Sequence, residues 1–462
     1  MATTRMDAAV LSRLLQSWAD TAPRLSDALA EALRQLIDDG LVPPGISLPP
    51  QRELAGALGV SRGTIGAAFA ALSARGYLVA QQGSGTRVRS GRAQSMHVGE
   101  GRFFSFTNAP AEVIDLSTGA LPASDLARRV LAAGPPDLGH YLATDGYFPA
   151  GLPVLRQAIA EQLTRDGLVT RPQQVMVSAG GQQAVSLAVR HLVSNGDLAL
   201  VEDPTFRGGI EALRAYGAHV EAVPMVAGAM DAGLLRRAAP RRPAVVYCQT
   251  GVHNPTGQTA SPGARRELAA AINSLGVPTI EDCSSYDLTL RGGPARTLAG
   301  LVDPELLISV GTMSKLFWGG IRVGWVRADE SRIRALVELR KAADLATAVV
   351  DQLYAVALLG SIDEARRERR EQLAAVLPVA EAVVRDCFSD WAWTAPIGGT
   401  GLWIDTGTDA QALAEKGKRV GVKLAPGPSF SAHEAQRTML RLPIWHEPEQ
   451  LAEGLARLRT AG

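Results

Sequence analysis

From Ile114 onward, short apolar runs alternate with helical patterns, and this alternation most narrows the folds open to the 462-residue chain. Val175-Met-Val-Ser178, Asp197-Leu-Ala-Leu-Val201, Ala244-Val-Val-Tyr-Cys248, Val277-Pro-Thr-Ile-Glu281 and Leu306-Leu-Ile-Ser-Val310 are short and almost continuously apolar, as strands buried on both faces should be. Such strands need helices above and below, and residues 151–164 and 181–191 have helical spacing. The spacing predicts an α/β domain with a mostly parallel sheet. Its ligand groups are expected at the strand ends.

The first ninety residues read differently. Leu25, Ala28, Leu29, Ala32, Leu33, Leu36 and Ile37 recur at helical spacing, and Asp38-Asp39-Gly40 ends that helix. Residues 42–50 hold four prolines and must be loop. Residues 51–58 suit a short helix, and Gly59-Val60 a tight turn. Ser61 caps the next helix, with apolar positions at Ile65, Ala68, Phe69 and Leu72 and a stop at Gly76. Two strands, 77–81 and 86–89, follow with residues 82–85 between them. Helix, helix-turn-helix and hairpin make a winged helix-turn-helix. A cation in the first helical turn, as Arg62 is, opposes the helix dipole by about 0.3–1 kcal/mol. That is tolerable where the helix end faces phosphates or a guanine edge. Arg62, Arg75, Arg87, Arg89 and Arg92 form a stretch without an acidic residue, which suits a polyanion partner, or a solvated face. Residues 91–111 are small and polar and read as a linker, apart from Phe103, Phe104 and Phe106.

The ends of the predicted strands carry reactive groups. Only five of the 47 basic residues are lysine, and the first is Lys315. A chain that uses arginine where charge suffices keeps lysine where a nitrogen must lose its proton and attack a carbonyl. Small and hydroxyl residues precede Lys315, glycines follow it, and Arg322 is close behind. This suits a Schiff-base lysine beside a phosphate-binding arginine; a surface lysine in a glycine-rich loop is the plainer alternative. Ser178-Ala-Gly-Gly-Gln-Gln183 is a strand-to-helix turn that can offer free N–H groups to a phosphate. Glu202-Asp-Pro-Thr-Phe206, His253-Asn-Pro-Thr-Gly257 and Glu281-Asp-Cys-Ser-Ser-Tyr286 follow other strands. Singly they have ordinary readings as caps, turns or core residues. Five in this order are far more specific.

Together these motifs resemble fold-type I pyridoxal 5′-phosphate (PLP) enzymes of the aspartate aminotransferase class, over roughly residues 112–462. The resemblance implies that Lys315 carries PLP as an aldimine. Asp282 would pair with the pyridine nitrogen and keep the ring an electron sink. Asn254 would bond the ring hydroxyl and Phe206 cover the ring face. Gly180, Gly181 and Gln182, with Thr312 and Arg322, would hold the phosphate. Tyr141 would reach the neighbouring subunit's cofactor, so a homodimer is implied. Arg441 would clamp a substrate or effector carboxylate. The sequence departs from the pattern where a tyrosine usually follows the ring-pairing aspartate. Ser284 and Ser285 stand there, and Tyr286 is expected at the ring hydroxyl only if the loop shifts.

The N-terminal motifs Leu48-Pro-Pro-Gln-Arg-Glu-Leu-Ala55, Leu58-Gly-Val-Ser-Arg-Gly-Thr-Ile65 and Gly76-Tyr-Leu-Val-Ala-Gln-Gln-Gly-Ser-Gly-Thr86 resemble the DNA-binding domain of GntR-type regulators. By position, Arg52, Ser61, Arg62, Thr64, Gly83 and Arg87 would lie at DNA. A GntR-type domain at 23–90, an extension at 1–22, a linker at 91–111 and an aminotransferase-like domain at 112–462 resemble the MocR/GabR family of bacterial regulators. The implied function is a PLP-dependent, DNA-binding transcriptional regulator that senses PLP or an amino compound. The alternative is an active aminotransferase with an accessory DNA-binding domain. Three widely spaced cysteines give neither a disulfide framework nor a zinc pattern, and no metal is expected. No apolar run reaches transmembrane length, so a cytoplasmic protein with no membrane partner is expected.

Overall fold

In the computed structural model the first element starts at Asp7, whose Oδ1 accepts from the N–H groups of Ala9 and Val10 at 2.8 and 3.2 Å. That cap opens helix α1 (Ala8–Leu14). The structure describes residues 6–15, 18, 24–38, 42, 46–74, 77–81, 85–88, 113–134 and 138–460. Gly40, Arg75, Gly76, Gly83, Arg89, Arg92, Phe103, Phe104 and Phe106 lie outside them. The chain divides into two units, Met1–Phe104 and Ser105–Gly462.

In the first unit α1 buries Leu11 in one apolar cluster with Leu29, Leu33, Leu54, Ile65, Phe69 and Leu72. Residues 1–22 matched nothing in the sequence reading, yet this helix supplies part of the core. Helices α2 (Leu25–Asp38), α3 (Gln51–Leu58) and α4 (Arg62–Ala74) follow. Gly59 ends α3 with φ +68°, a left-handed conformation that costs glycine little. The chain then turns by 116° into α4. Ser61 Oγ accepts the Thr64 N–H at 3.0 Å and caps α4. Strands β1 (Leu78–Gln81) and β2 (Gly85–Val88) pair antiparallel. The proline-rich loop lies along β2, with Leu48 N–H on Thr86 O at 2.8 Å and Val88 N–H on Ile46 O at 2.9 Å.

In the second unit the strands are, in chain order, β3 (Ile114–Leu116), β4 (Val175–Ser178), β5 (Leu198–Asp203), β6 (His219–Val226), β7 (Ala229–Met230), β8 (Val245–Cys248), β9 (Thr279–Asp282), β10 (Leu307–Thr312), β11 (Gly324–Arg327), β12 (Ala392–Trp393), β13 (Gly401–Asp405), β14 (Val422–Pro426) and β15 (Met439–Pro443). Eight form a sheet in the order β4-β11-β10-β9-β8-β5-β6-β7. β10, β9, β8, β5 and β6 are mutually parallel; β11 runs against β10 and β4. β4, β8, β9 and β10 are buried along their whole length, which is why their sequences lack polar alternation. Ser178, Asp203, Cys248, Asp282 and Thr312 therefore end on the same edge. A second sheet, β12-β13-β15-β14-β3, packs its apolar face with the helices Ile362–Cys387 and Pro448–Thr460. Among the described residues no single helix is long and apolar enough to cross a membrane, and no group of ligating side chains could hold a metal ion.

Candidate cofactor site and nucleic-acid interface

At the C-terminal edge of the large sheet, Lys315 Nζ donates to Gly119 O at 2.9 Å. The same carbonyl accepts from Thr400 Oγ1 at 3.2 Å, and Thr400 Oγ1 in turn accepts from Arg441 Nη2 at 3.1 Å. One carbonyl thus ties the lysine to the buried arginine of β15. Glycine at 119 lets the Arg441 guanidinium lie here, because a Cβ would fall 1.7 Å from its Nη2 and displace it.

The surroundings of Lys315 favour its neutral amine. Burial is the chief cause that lowers its ammonium to about 8; Arg441 adds to the fall, Asp282 opposes it and Arg207 adds a little more. Desolvation beside further cations is how a lysine becomes a nucleophile near neutral pH. Burial, then Arg207, also lowers Arg441 to about 10, and no carboxylate among the described residues offsets this. A buried cation so placed is suited to an external carboxylate.

Asp282 ends β9 with both oxygens bonded. Tyr247 donates its hydroxyl to Oδ2 at 2.6 Å, and the Ser284 N–H donates to Oδ1 at 2.9 Å. Asn254 sits on a loop held by Gln249, which accepts the Asn254 N–H at 3.3 Å and donates to its carbonyl at 3.1 Å. Phe206 precedes the helix Arg207–Ala215, where its ring crowds Gly208.

The predicted phosphate residues come together. Gly180, at φ +83°, precedes the helix Gly181–Leu192, whose first N–H groups have no helical partner. A Cβ on Gly180 would lie 2.8 Å from Arg322 Nη2, and one on Gly181 3.1 Å from Ser284 Oγ. Arg322 Nη2 donates to Ala179 O at 2.6 Å. Thr312 Oγ1 bonds Ser314 Oγ at 2.9 Å. Gln182 donates to Gly208 O at 3.0 Å, while its Oε1 is buried and unpartnered.

Two predicted residues lie elsewhere. Tyr286 follows a turn in which its N–H donates to Cys283 O at 3.0 Å, and the turn carries it into a separate cavity with Asp166, Asp287 and Arg366. Burial, then those two carboxylates, pushes its phenol up to about 12. Ser284 rather than Tyr286 faces the glycine turn, because the additional residue after Asp282 moves the tyrosine past it. Tyr141, on the short helix Gly139–Leu142, meets Phe148 edge-on at 5.9 Å.

In the first unit Arg52 and Arg62 are exposed at the starts of α3 and α4, and Ser61 is exposed beside them. Thr64 and Ser61 share a hydroxyl contact of 2.9 Å. Arg87 lies on β2, partly buried, with Nε unpartnered. No acidic residue occupies the first turn of α4. Arg62 and the free N–H groups therefore present a positive end to any anion.

Sequence reasoning missed Tyr247, Gly119 and Thr400. Tyr247 did leave a signal, since a phenol within a run buried on both faces must find a partner for its hydroxyl. The others gave none, because their contacts join distant parts of the chain.

Two family models match the sequence: "Bacterial regulatory proteins, gntR family" over residues 25–88 and "Aminotransferase class I and II" over residues 111–458. The 2-aminoadipate transaminase of Thermus thermophilus is 29% identical, covering 73% of this chain and 85% of that protein. The HTH-type transcriptional regulator TauR of Rhodobacter capsulatus is 26% identical over 95% of this chain and 98% of its own length. Among solved structures, LysN, the α-aminoadipate aminotransferase of Thermus thermophilus complexed with N-(5′-phosphopyridoxyl)-L-leucine, superposes with a TM-score of 0.66 at 27% identity. It covers 80% of this chain and 97% of that structure.

Proposed function

Because this chain belongs to the class I and II aminotransferase family and carries a gntR-family domain ahead of that match, we propose that it is a PLP-dependent, DNA-binding transcriptional regulator. Its large unit senses PLP or an amino compound, and its winged helix binds a double-stranded operator. The observation that carries the reading is one chain holding both an exposed helix-turn-helix, with Arg62 leading α4, and a lysine lowered to about 8 beside Asp282. A free-standing transaminase needs no such helix.

The residues around Lys315 fit PLP. Glycine at 180 lets Arg322 close on the turn, and the free N–H groups that head the helix Gly181–Leu192 suit a phosphate. Bound PLP supplies an aldehyde that condenses with an amine and a pyridinium ring that accepts electrons. The protein's own groups do the rest. Lys315 supplies the amine, and Asp282, fixed by Tyr247, faces the ring nitrogen. Asn254 and Phe206 orient the ring. The N–H groups at Gly181 and Gln182, with Arg322 and Thr312, hold the phosphate. Arg441 receives an effector carboxylate, so the effector is a carboxylate-bearing amine.

The protein acts as a cytoplasmic homodimer in which Tyr141 reaches the partner's site. In support, Leu142 and Tyr147 beside it are 74% and 59% exposed, apolar surface suited to a second copy. Effector binding need change the balance of two dimer arrangements by only about 2–5 kcal/mol to alter operator occupancy. The relatedness to a transaminase favours a second reading, in which the large unit turns over substrate. Ser284 in place of a phenol at the glycine turn weighs towards sensing.

Capture of fragmented genomic DNA by PLP-loaded and cofactor-stripped protein separates the two. Enrichment of a few sites that differs between the samples is expected. No enrichment in either, with sustained conversion of an amino donor and keto acceptor, overturns the regulator.

A further inference from the structure

A second cavity, of about 250 Å³, backs onto the strands that carry Asp282 and Thr312. Cys283, Ser309 and Gly311 form part of its wall; Lys315, Asp282, Tyr247 and Arg441 do not. At about 30 Å³ per water it has room for about eight waters, or one small organic molecule.

Its wall is built for an amphipathic anion. Leu163, Leu168, Leu359 and Trp325 give it an apolar body. Two buried polar atoms in the wall have no partner: Ser309 Oγ, on a residue only 8% exposed, and Arg265 Nε. Buried polar groups are seldom left unbonded, so each offers the cavity an atom able to bond a ligand. The charges agree. Asp166 and Asp287 are both spent on Arg366, at 2.6 and 2.8 Å. Arg265, Arg296 and Arg327 also line the cavity, and among the described residues none of them is in an ion pair. Buried Glu281, bonded to Thr250 and to the Leu298 N–H, attracts Arg265, while Arg296 and Arg266 repel it.

We infer that this cavity is a second ligand site, for a small organic carboxylate with an apolar or aromatic body. Its carboxylate is received between Arg265 and Arg296, and its body lies against Trp325. No lysine lines the cavity, so the ligand binds without condensation and needs no amino group. Successive strand residues point to opposite faces, so a ligand against Cys283, Ser309 and Gly311 presses on the backbone that holds Asp282 and Thr312 on the other face. The site is thus placed to modulate the Lys315 site from behind. This inference does not depend on the DNA-binding reading.

The test is calorimetric titration of the purified full-length protein with phenylacetate, an aromatic carboxylate without an amine. Parent protein should bind one equivalent. Arg265→Gln combined with Arg296→Gln should weaken binding at least about tenfold. Ala299→Phe, which fills the cavity, should do the same, whereas Arg441→Gln should keep the equivalent held at the cavity. A cooperative thermal transition near the parent's temperature certifies that each variant is folded. No binding by the parent, or binding lost in Arg441→Gln and kept in the cavity variants, overturns the site.

Discussion

Tyr247 donates its hydroxyl to Asp282 across 2.6 Å, and both side chains are buried. Gly209 makes room for the phenol, since a Cβ there would lie 2.5 Å from its ring. Burial, then Asp282, pushes the Tyr247 phenol well above its usual range, so the group keeps its proton and acts as donor. Tyr247→Phe removes that donor and leaves a buried carboxylate short of a partner. Stability should fall by about 1–3 kcal/mol, and the pH titration of bound PLP followed by absorbance should move, because the carboxylate facing its ring loses a hydrogen bond. A variant with the parent's melting temperature and spectrum would show that the bond has no role.

Arg369 is 0% exposed and clamps the chain on both sides of the site. It donates to Leu316 O, Phe317 O and Pro122 O at 3.2, 3.0 and 2.9 Å, and to Gln372 Oε1 at 2.7 Å. The first two carbonyls follow Lys315, and the third lies three residues past Gly119, whose carbonyl accepts from Lys315. Lysine cannot reproduce a fork that reaches three carbonyls. Arg369→Lys should cost about 1–3 kcal/mol for each carbonyl left dry. It should also weaken PLP uptake and shift the pH at which the bound cofactor's absorbance changes. A purely structural residue would lower the melting temperature and leave that titration in place.

Lys315 gives a pH dependence whose sign follows from burial. Its ammonium falls from 10.5 to about 8 in the fold. Below about 8 both the folded and unfolded chains hold the proton, and the burial cost is present in full. Between 8 and 10.5 the unfolded chain holds a proton that the folded chain has released, so stability rises with pH. In cofactor-free protein, Lys315→Met should be the more stable at pH 7, by about 3 kcal/mol. That advantage should shrink as pH rises through this window. Denaturant midpoints at pH 7 and pH 10 check it, and a gap that stays constant contradicts the assignment.

Much of the architecture was legible because periodicity reports burial. β4, β8 and β10, and the helix Gly181–Leu192, fall within a residue or two of the apolar runs that announced them. The glycine turn and Lys315 were legible for a related reason, since local backbone chemistry shows in local sequence. The Gly119–Thr400–Arg441 link was not, because it closes over 281 residues and its central acceptor is a backbone carbonyl. Tyr286 was misleading because sequence spacing does not show that the chain turns at Cys283. Helix α1 escaped because seven residues offer too little periodicity to assign, although Leu11 is fully buried.

Arg62 opens α4 with no acidic residue in the first turn, so two positive features coincide at one exposed helix end. For the folded protein alone this is a cost of about 0.3–1 kcal/mol. Arg62→Ala should therefore raise the melting temperature slightly while weakening binding to a captured genomic operator fragment. If Arg62 reads a guanine edge, the loss should be about 1–3 kcal/mol and should fall mainly on that sequence. If it contacts a phosphate instead, affinity should drop on all sequences and the slope of log affinity against log salt should lessen by about one. Fluorescence anisotropy on operator and scrambled duplexes across a salt series distinguishes these outcomes. Operator affinity equal to the parent's, together with the small gain in stability, would leave Arg62 as a tolerated dipole mismatch and remove α4 from the proposed interface.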